Sequence, residues 1–73
     1  MNPKDSLIRF AAQRGWRRIS ATDSDVVLLV KGHTNLTVQF RYYRVDYAAA
    51  TGFDFHTRIR GGLVAIRKYL REN

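Results

Sequence analysis

The stretch TVQFRYYRVDY (37–47) sets Arg41 and Arg44 among the rings of Phe40, Tyr42, Tyr43 and Tyr47. Read as a strand, it places alternate side chains on opposite faces. Leu36, Val38, Phe40 and Tyr42 then form the core side, while Gln39, Arg41 and Tyr43 point outward with Arg44 and Tyr47 just beyond. An exposed ring flanked by guanidinium groups can stack on a base while the charges hold phosphates. The plainer alternative is a solvated strand face, on which tyrosine and arginine are common.

Further cations close the chain. Arg58 and Arg60 precede a helical pattern, and Arg60, Val64, Arg67 and Arg71 recur on one side of it, opposite Leu63, Ile66 and Leu70. With Lys68 they make a positive stripe of the kind that follows a phosphate backbone. Cations in a last helical turn also offset the macrodipole, so the stripe has a structural reading as well. The expected nucleic-acid-binding set is therefore Arg41, Tyr43, Arg44, Arg58, Arg60, Arg67, Lys68 and Arg71.

His33 and His56 are the only histidines, the side-chain type suited to acid–base work near neutral pH. A metal-free ribonuclease could combine one of them with arginine and tyrosine to assist attack of a 2′-hydroxyl on phosphate. The plainer reading makes His33 a polar turn residue and His56 an outward strand residue. Asp23, Asp25, Asp46 and Asp54 follow no metal-ligand spacing, and there is no cysteine to supply a thiolate. Neither a metal nor a cofactor is expected. The RGG at 60–62 occurs once and is no RNA-binding repeat; it eases the start of a helix.

Seventy-three residues allow one domain, 1–73, near the size at which a single core only just suffices. The hydrophobic share of 45% argues against a disordered tail. The charge of +7 favours polyanions, and ten of the thirteen cations are arginine, whose planar fork suits phosphates and base edges. A GC-rich genome would supply the same arginines without any such role. The start, MNPKDSLIRF, has no apolar core before a small-residue cleavage site, and the run VVLLV (26–30) is far too short to span a bilayer. A soluble, cytoplasmic chain without a membrane partner is expected.

These residues need elements to hold them. Asn2, Pro3 and Asp5 are a helix start, Leu7, Phe10, Ala11 and Arg14 keep helical spacing, and Gly15 followed by Trp16 is a helix stop. GWRRIS begins a short strand, with Arg17 and Arg18 on opposite faces, and ATDSD supplies a polar turn. VVLLVK is a second strand, GHTN a turn, and LTVQFRYY a third strand. An odd loop such as 32–34 would align the core side of the third strand with Val26, Leu28 and Val30; a two-residue loop would align it with Val27 and Leu29. The odd loop buries three apolar residues instead of two and is the expected one. Either register leaves part of VVLLV on the opposite face, which calls for a cover by a helix, the chain's own tail or a second subunit; a homodimer is expected as one such cover.

VDYAAATG (45–52) is expected as a connection of small residues. FDFHTR (53–58) alternates as a short fourth strand, and the last helix begins at Gly61 and Gly62, since two adjacent glycines inside a helix would cost roughly 2 kcal/mol against alanine. The expected fold is α+β: an antiparallel sheet of three to four strands with N- and C-terminal helices packed on one face, in the order α-β-β-β-(β)-α.

That order resembles double-stranded-RNA-binding domains and the small ribonuclease toxins built on the same fold. The opening LIRFAAQRGW is similar to the start of such toxins over about ten residues, a helix ended by Gly-Trp. Their glycine–small–histidine motif follows soon after the tryptophan, whereas Gly32-His33 here comes much later. Three functions are expected in turn. The first is a small basic, non-catalytic module that binds RNA or DNA, of a kind a phage or mobile element would encode. The second is an interaction module for an acidic partner protein. The third is a ribonuclease-type toxin using His33 or His56.

Overall fold

The computed structural model describes residues 2–20 and 24–73. The chain runs α1 (Pro3–Ala12), β1 (Arg17–Arg18), β2 (Val26–Lys31), β3 (Thr34–Arg41), β4 (Arg44–Thr51), β5 (His56–Arg58) and α2 (Gly62–Glu72). The strands form one antiparallel sheet in the order β1-β2-β3-β4-β5, so each strand pairs with its neighbour in sequence.

Helix α1 begins and ends as its sequence dictates. Asn2 is extended and its Oδ1 accepts the Asp5 N–H at 2.8 Å, with Pro3 at the first helical position. At the other end Gly15 takes φ +88. Its N–H donates to the Ala12 carbonyl while the Trp16 N–H reaches the Ala11 carbonyl, the paired bonds of a Schellman stop. Trp16 thereby folds inward and is buried. Its indole N–H donates to the Leu70 carbonyl at 3.3 Å, tying the end of α1 to the end of α2. Helix α2 starts at Gly62 with Gly61 as its N-cap, both at positive φ, and buries Ile66 and Leu70.

The core cluster joins Leu7 and Ala11 of α1 and Ile66 and Leu70 of α2 with Val27, Leu29, Leu36, Val38, Phe40, Ala48 and Ala50 of the sheet. Cross-strand partners share a face, so these sheet residues lie on one side. Val26, Leu28, Val30, Thr37, Gln39, Tyr47, Ala49, Thr51, His56 and Arg58 lie on the other, with Arg17 opposite Val30. Arg17 is exposed; Arg18, opposite Leu29 on the core side, is half-buried.

Several expectations are corrected. The sheet has five strands, because residues 45–52 are not a connection but most of β4. Three consecutive alanines carry little strand preference of their own. Pairing with β3 and the close packing that small side chains allow beneath α2 hold them extended. The turn after β2 is Gly32-His33, with Lys31 opposite Thr34, so the core side takes Val27 and Leu29 and not Val26, Leu28 and Val30. A two-residue turn with glycine at φ +61 matches the twist of the strands, and that outweighs one extra buried side chain. The fourth expected strand shortens to His56–Arg58, and Phe53 and Phe55, which alternate with His56 in the sequence, are exposed at 86% and 40%. Of the ATDSD turn, residues 21–23 lie outside the described residues. Among the described residues, no helix is long and apolar enough to cross a membrane.

Candidate nucleic-acid interface

Strand β3 does not continue through Tyr43 as its alternation suggests. It ends at Arg41, which pairs with Arg44 across a two-residue turn of Tyr42 and Tyr43. Both tyrosines are in the left-handed region, at φ +51 and +65. Two positive φ angles in succession make a turn of the type that suits twisted hairpins and is ordinarily filled by Asn-Gly or Asp-Gly. A bulky side chain there costs about 1–2 kcal/mol per residue. Tyr42, expected in the core, is therefore 85% exposed and Tyr43 68% exposed. The chain reverses one residue after Phe40, the last core side chain of β3, so the alternation stops applying.

The cations gather unevenly around this tip. Arg41 and Arg44 flank it, and the Arg41 guanidinium stands 5.7 Å from the Tyr42 ring. Further along the sheet, Arg58 lies 4.9 Å from the ring of half-buried Tyr47. A shallow cleft at the tip is lined by Arg41, Tyr42, Arg44, Val45 and Asp46. A second, which includes Arg58 and Arg60, shares Val45 and Asp46 with it, so the two clefts adjoin the same short segment of β4. Asp46 is the extra residue of a bulge: Gln39 faces Tyr47 while Phe40 faces Val45. On the other side of the tip, Tyr42 and Tyr43 line a hollow with Asn2, Lys4, Asp25 and Phe40. Lys4 there pairs with Asp25 at 4.0 Å and donates to the Ser24 carbonyl. Among the described residues this is the ion pair formed; Arg41, Arg44, Arg58, Arg60, Lys68 and Arg71 hold no carboxylate.

The helical part of the expected set separates from this group. Arg67 is half-buried between the helices, where it donates to the Ser6 hydroxyl at 3.3 Å and stands 5.5 Å from the Phe10 ring. Arg14 stacks on the same ring at 3.6 Å and donates to the Phe10 carbonyl. The stripe read from spacing thus loses a member: Arg67 packs α2 against α1. Lys68 and Arg71 are exposed on α2, and Arg60 precedes the helix without belonging to it.

The histidines lie elsewhere. His33 is at the turn before β3, its ring 4.7 Å from Phe53, and His56 pairs with Thr51 in the row that also holds Asn35. The eight residues of β3 separate that end of the sheet from Arg41 by about 23 Å of strand. Neither histidine is placed to act with Arg41, Arg44 and the two tip tyrosines on one phosphate. Among the described residues, no three His, Cys, Asp or Glu side chains cluster as metal ligands.

No protein-family model, curated protein or solved structure matches the chain.

Sequence spacing puts Tyr42 on the core side, yet a signal for the turn is present. Phe40-Arg41-Tyr42 and Tyr43-Arg44-Val45 mirror one another in character about a two-residue centre. A hairpin pairs residues in that mirrored way, whereas a continuous strand has no reason to.

Proposed function

We propose that the protein is a small basic nucleic-acid-binding module, acting without catalysis. The reading takes both helices to pack on the core side of the sheet, which leaves the opposite face and the tip of the β3–β4 hairpin open to a ligand. The observation that carries it is the surface from Arg41 and Arg44 to Arg58 and Arg60. Four guanidinium groups without carboxylate partners lie there with exposed Tyr42 and half-buried Tyr47. A cation not already neutralised by a neighbour is available to replace the counterions of a phosphate backbone. Rings beside it supply base-stacking area that a purely electrostatic patch lacks. Lys68 and Arg71 extend the positive field along α2 but do not join the aromatic surface; Arg67 contributes to folding.

A homodimer is a second part of the reading, favoured by Val26, Leu28 and Val30, which lie half-buried on the face opposite the core, and by Ile19 at 53% exposure. Pairing two copies through that apolar end would place two hairpin tips on one assembly. RNA and DNA are both accommodated by phosphate contacts and stacking.

Anisotropy of a labelled single-stranded oligonucleotide, titrated between about 50 and 200 mM salt, tests the proposal. Four phosphate contacts predict a slope of log K against log salt near −3, since each contributes about −0.7 on single strands. Changing Arg41 and Arg44 together to glutamine should flatten that slope by about one to one and a half. Absence of binding at the lowest salt, alongside binding to an acidic protein, would overturn the reading.

A further inference from the structure

The tip of the β3–β4 hairpin suggests which form of nucleic acid the module takes. We infer that Tyr42 and Tyr43 are a stacking pair for unpaired bases, so that single-stranded RNA or DNA is bound in preference to duplex; this rests on the nucleic-acid reading above. Both residues adopt left-handed backbone angles, +51 and +65, that glycine or asparagine would adopt more readily. Strain of this kind persists where the side chains that cause it serve a purpose the easier residues cannot. Folding is not that purpose, because neither ring joins the core cluster and both are largely exposed. What two tyrosines offer over Asn-Gly at this tip is flat aromatic area projecting beyond the sheet.

The neighbours say what that area meets. Arg41 and Arg44 close the turn, with Arg41 against the Tyr42 ring, and no carboxylate pairs with either. An apolar protein groove would not call for two uncompensated guanidinium groups at the point of insertion, whereas a phosphate on each side of a stacked base would. Duplex readout needs donors and acceptors that reach base edges in a groove, and in a duplex the faces of the bases are already stacked. Two phenol rings are poorly equipped for edges and well equipped for faces. The second ring–guanidinium pair, Arg58 on Tyr47, lies on the same side of the sheet as Arg41 and Arg44 and offers a next stacking position along a strand.

The test compares three ligands of equal length: a single-stranded oligonucleotide, its abasic counterpart with the same phosphates, and a blunt duplex, whose higher charge density favours it on electrostatics alone. Each is titrated against the wild type, the variant Tyr42→Asn with Tyr43→Gly, and the variant Tyr42→Phe with Tyr43→Phe. The wild type should bind the base-bearing single strand about tenfold or more tightly than the abasic strand. The Asn-Gly variant should lose that margin, keep its affinity for the abasic strand and melt at a higher temperature. The Phe-Phe variant should retain the margin. Equal wild-type affinity for base-bearing and abasic strands, or an Asn-Gly variant that keeps the margin, overturns the stacking pair and leaves the phosphate-binding reading standing. Failure to bind any of the three ligands overturns that reading too, as does preference for vesicles of phosphatidylserine and phosphatidylcholine over every oligonucleotide.

Discussion

Strand β3 is bounded by two turns of equal length and opposite character. At its start, Gly32-His33 closes on Lys31 and Thr34, with glycine supplying the positive φ and nothing within 4 Å of where a Cβ would stand. At its end, Tyr42-Tyr43 closes on Arg41 and Arg44, with two aromatic residues in a conformation that favours neither. The first is chosen for backbone ease. The second accepts a penalty, and what it presents is two rings between two arginines. Position on the sheet cannot explain the difference, since both are ends of the same strand. The chemistry each end presents to solvent can.

Exchanging the turns' chemistry gives the largest expected effect. Asn-Gly in place of Tyr42-Tyr43 removes strain at two positions and should raise stability by about 2 kcal/mol in urea unfolding. A loss of stability on that exchange would mean that the rings pack in solution and that the contrast between the turns is false. Gly32→Ala runs the other way. The side chain has room, yet φ +61 disfavours it, so a cost of about 1 kcal/mol is expected from backbone alone. A neutral result would place the turn in a different conformation. Smallest is Asp46→Asn, which removes the carboxylate shared by the two clefts beside the tyrosine turn. Affinity for oligonucleotide should rise about threefold and more at low salt than at high, because an exposed charge is screened. No change would detach Asp46 from the bound strand's path.

Much of the fold is legible in the residues because the signals are local. Asn2-Pro3 and Gly15-Trp16 bracket α1, and Gly61-Gly62 open α2, because capping and left-handed stops depend on one or two residues whose backbone preferences are intrinsic. The alternation of Leu36, Val38 and Phe40 reads correctly for the same reason. The candidate site is less legible. Arg41 and Arg44 close one turn and Arg58 and Arg60 share a cleft, but spacing puts Tyr42 inward because an alternating pattern carries no mark of where a strand turns back. Spacing puts Arg67 outward because it shows which residues share a helix face and not that a second helix occupies it. The alanines of β4 were unreadable, since nothing in Ala48-Ala49-Ala50 demands extension until β3 and β5 pair on either side.

Composition, charge and the helix ends were thus set by the chain's own local chemistry: a basic α+β domain opened and closed by helices. Strand register, the number of strands and the company each arginine keeps came from long-range pairing. Those depend on which distant segments meet, and an interaction between Arg67 and Phe10, fifty-seven positions apart, leaves no trace in the spacing of either. The tyrosine turn belongs to both accounts. Its residues are written in the sequence, while their exposure follows from Arg41 finding Arg44 across the hairpin.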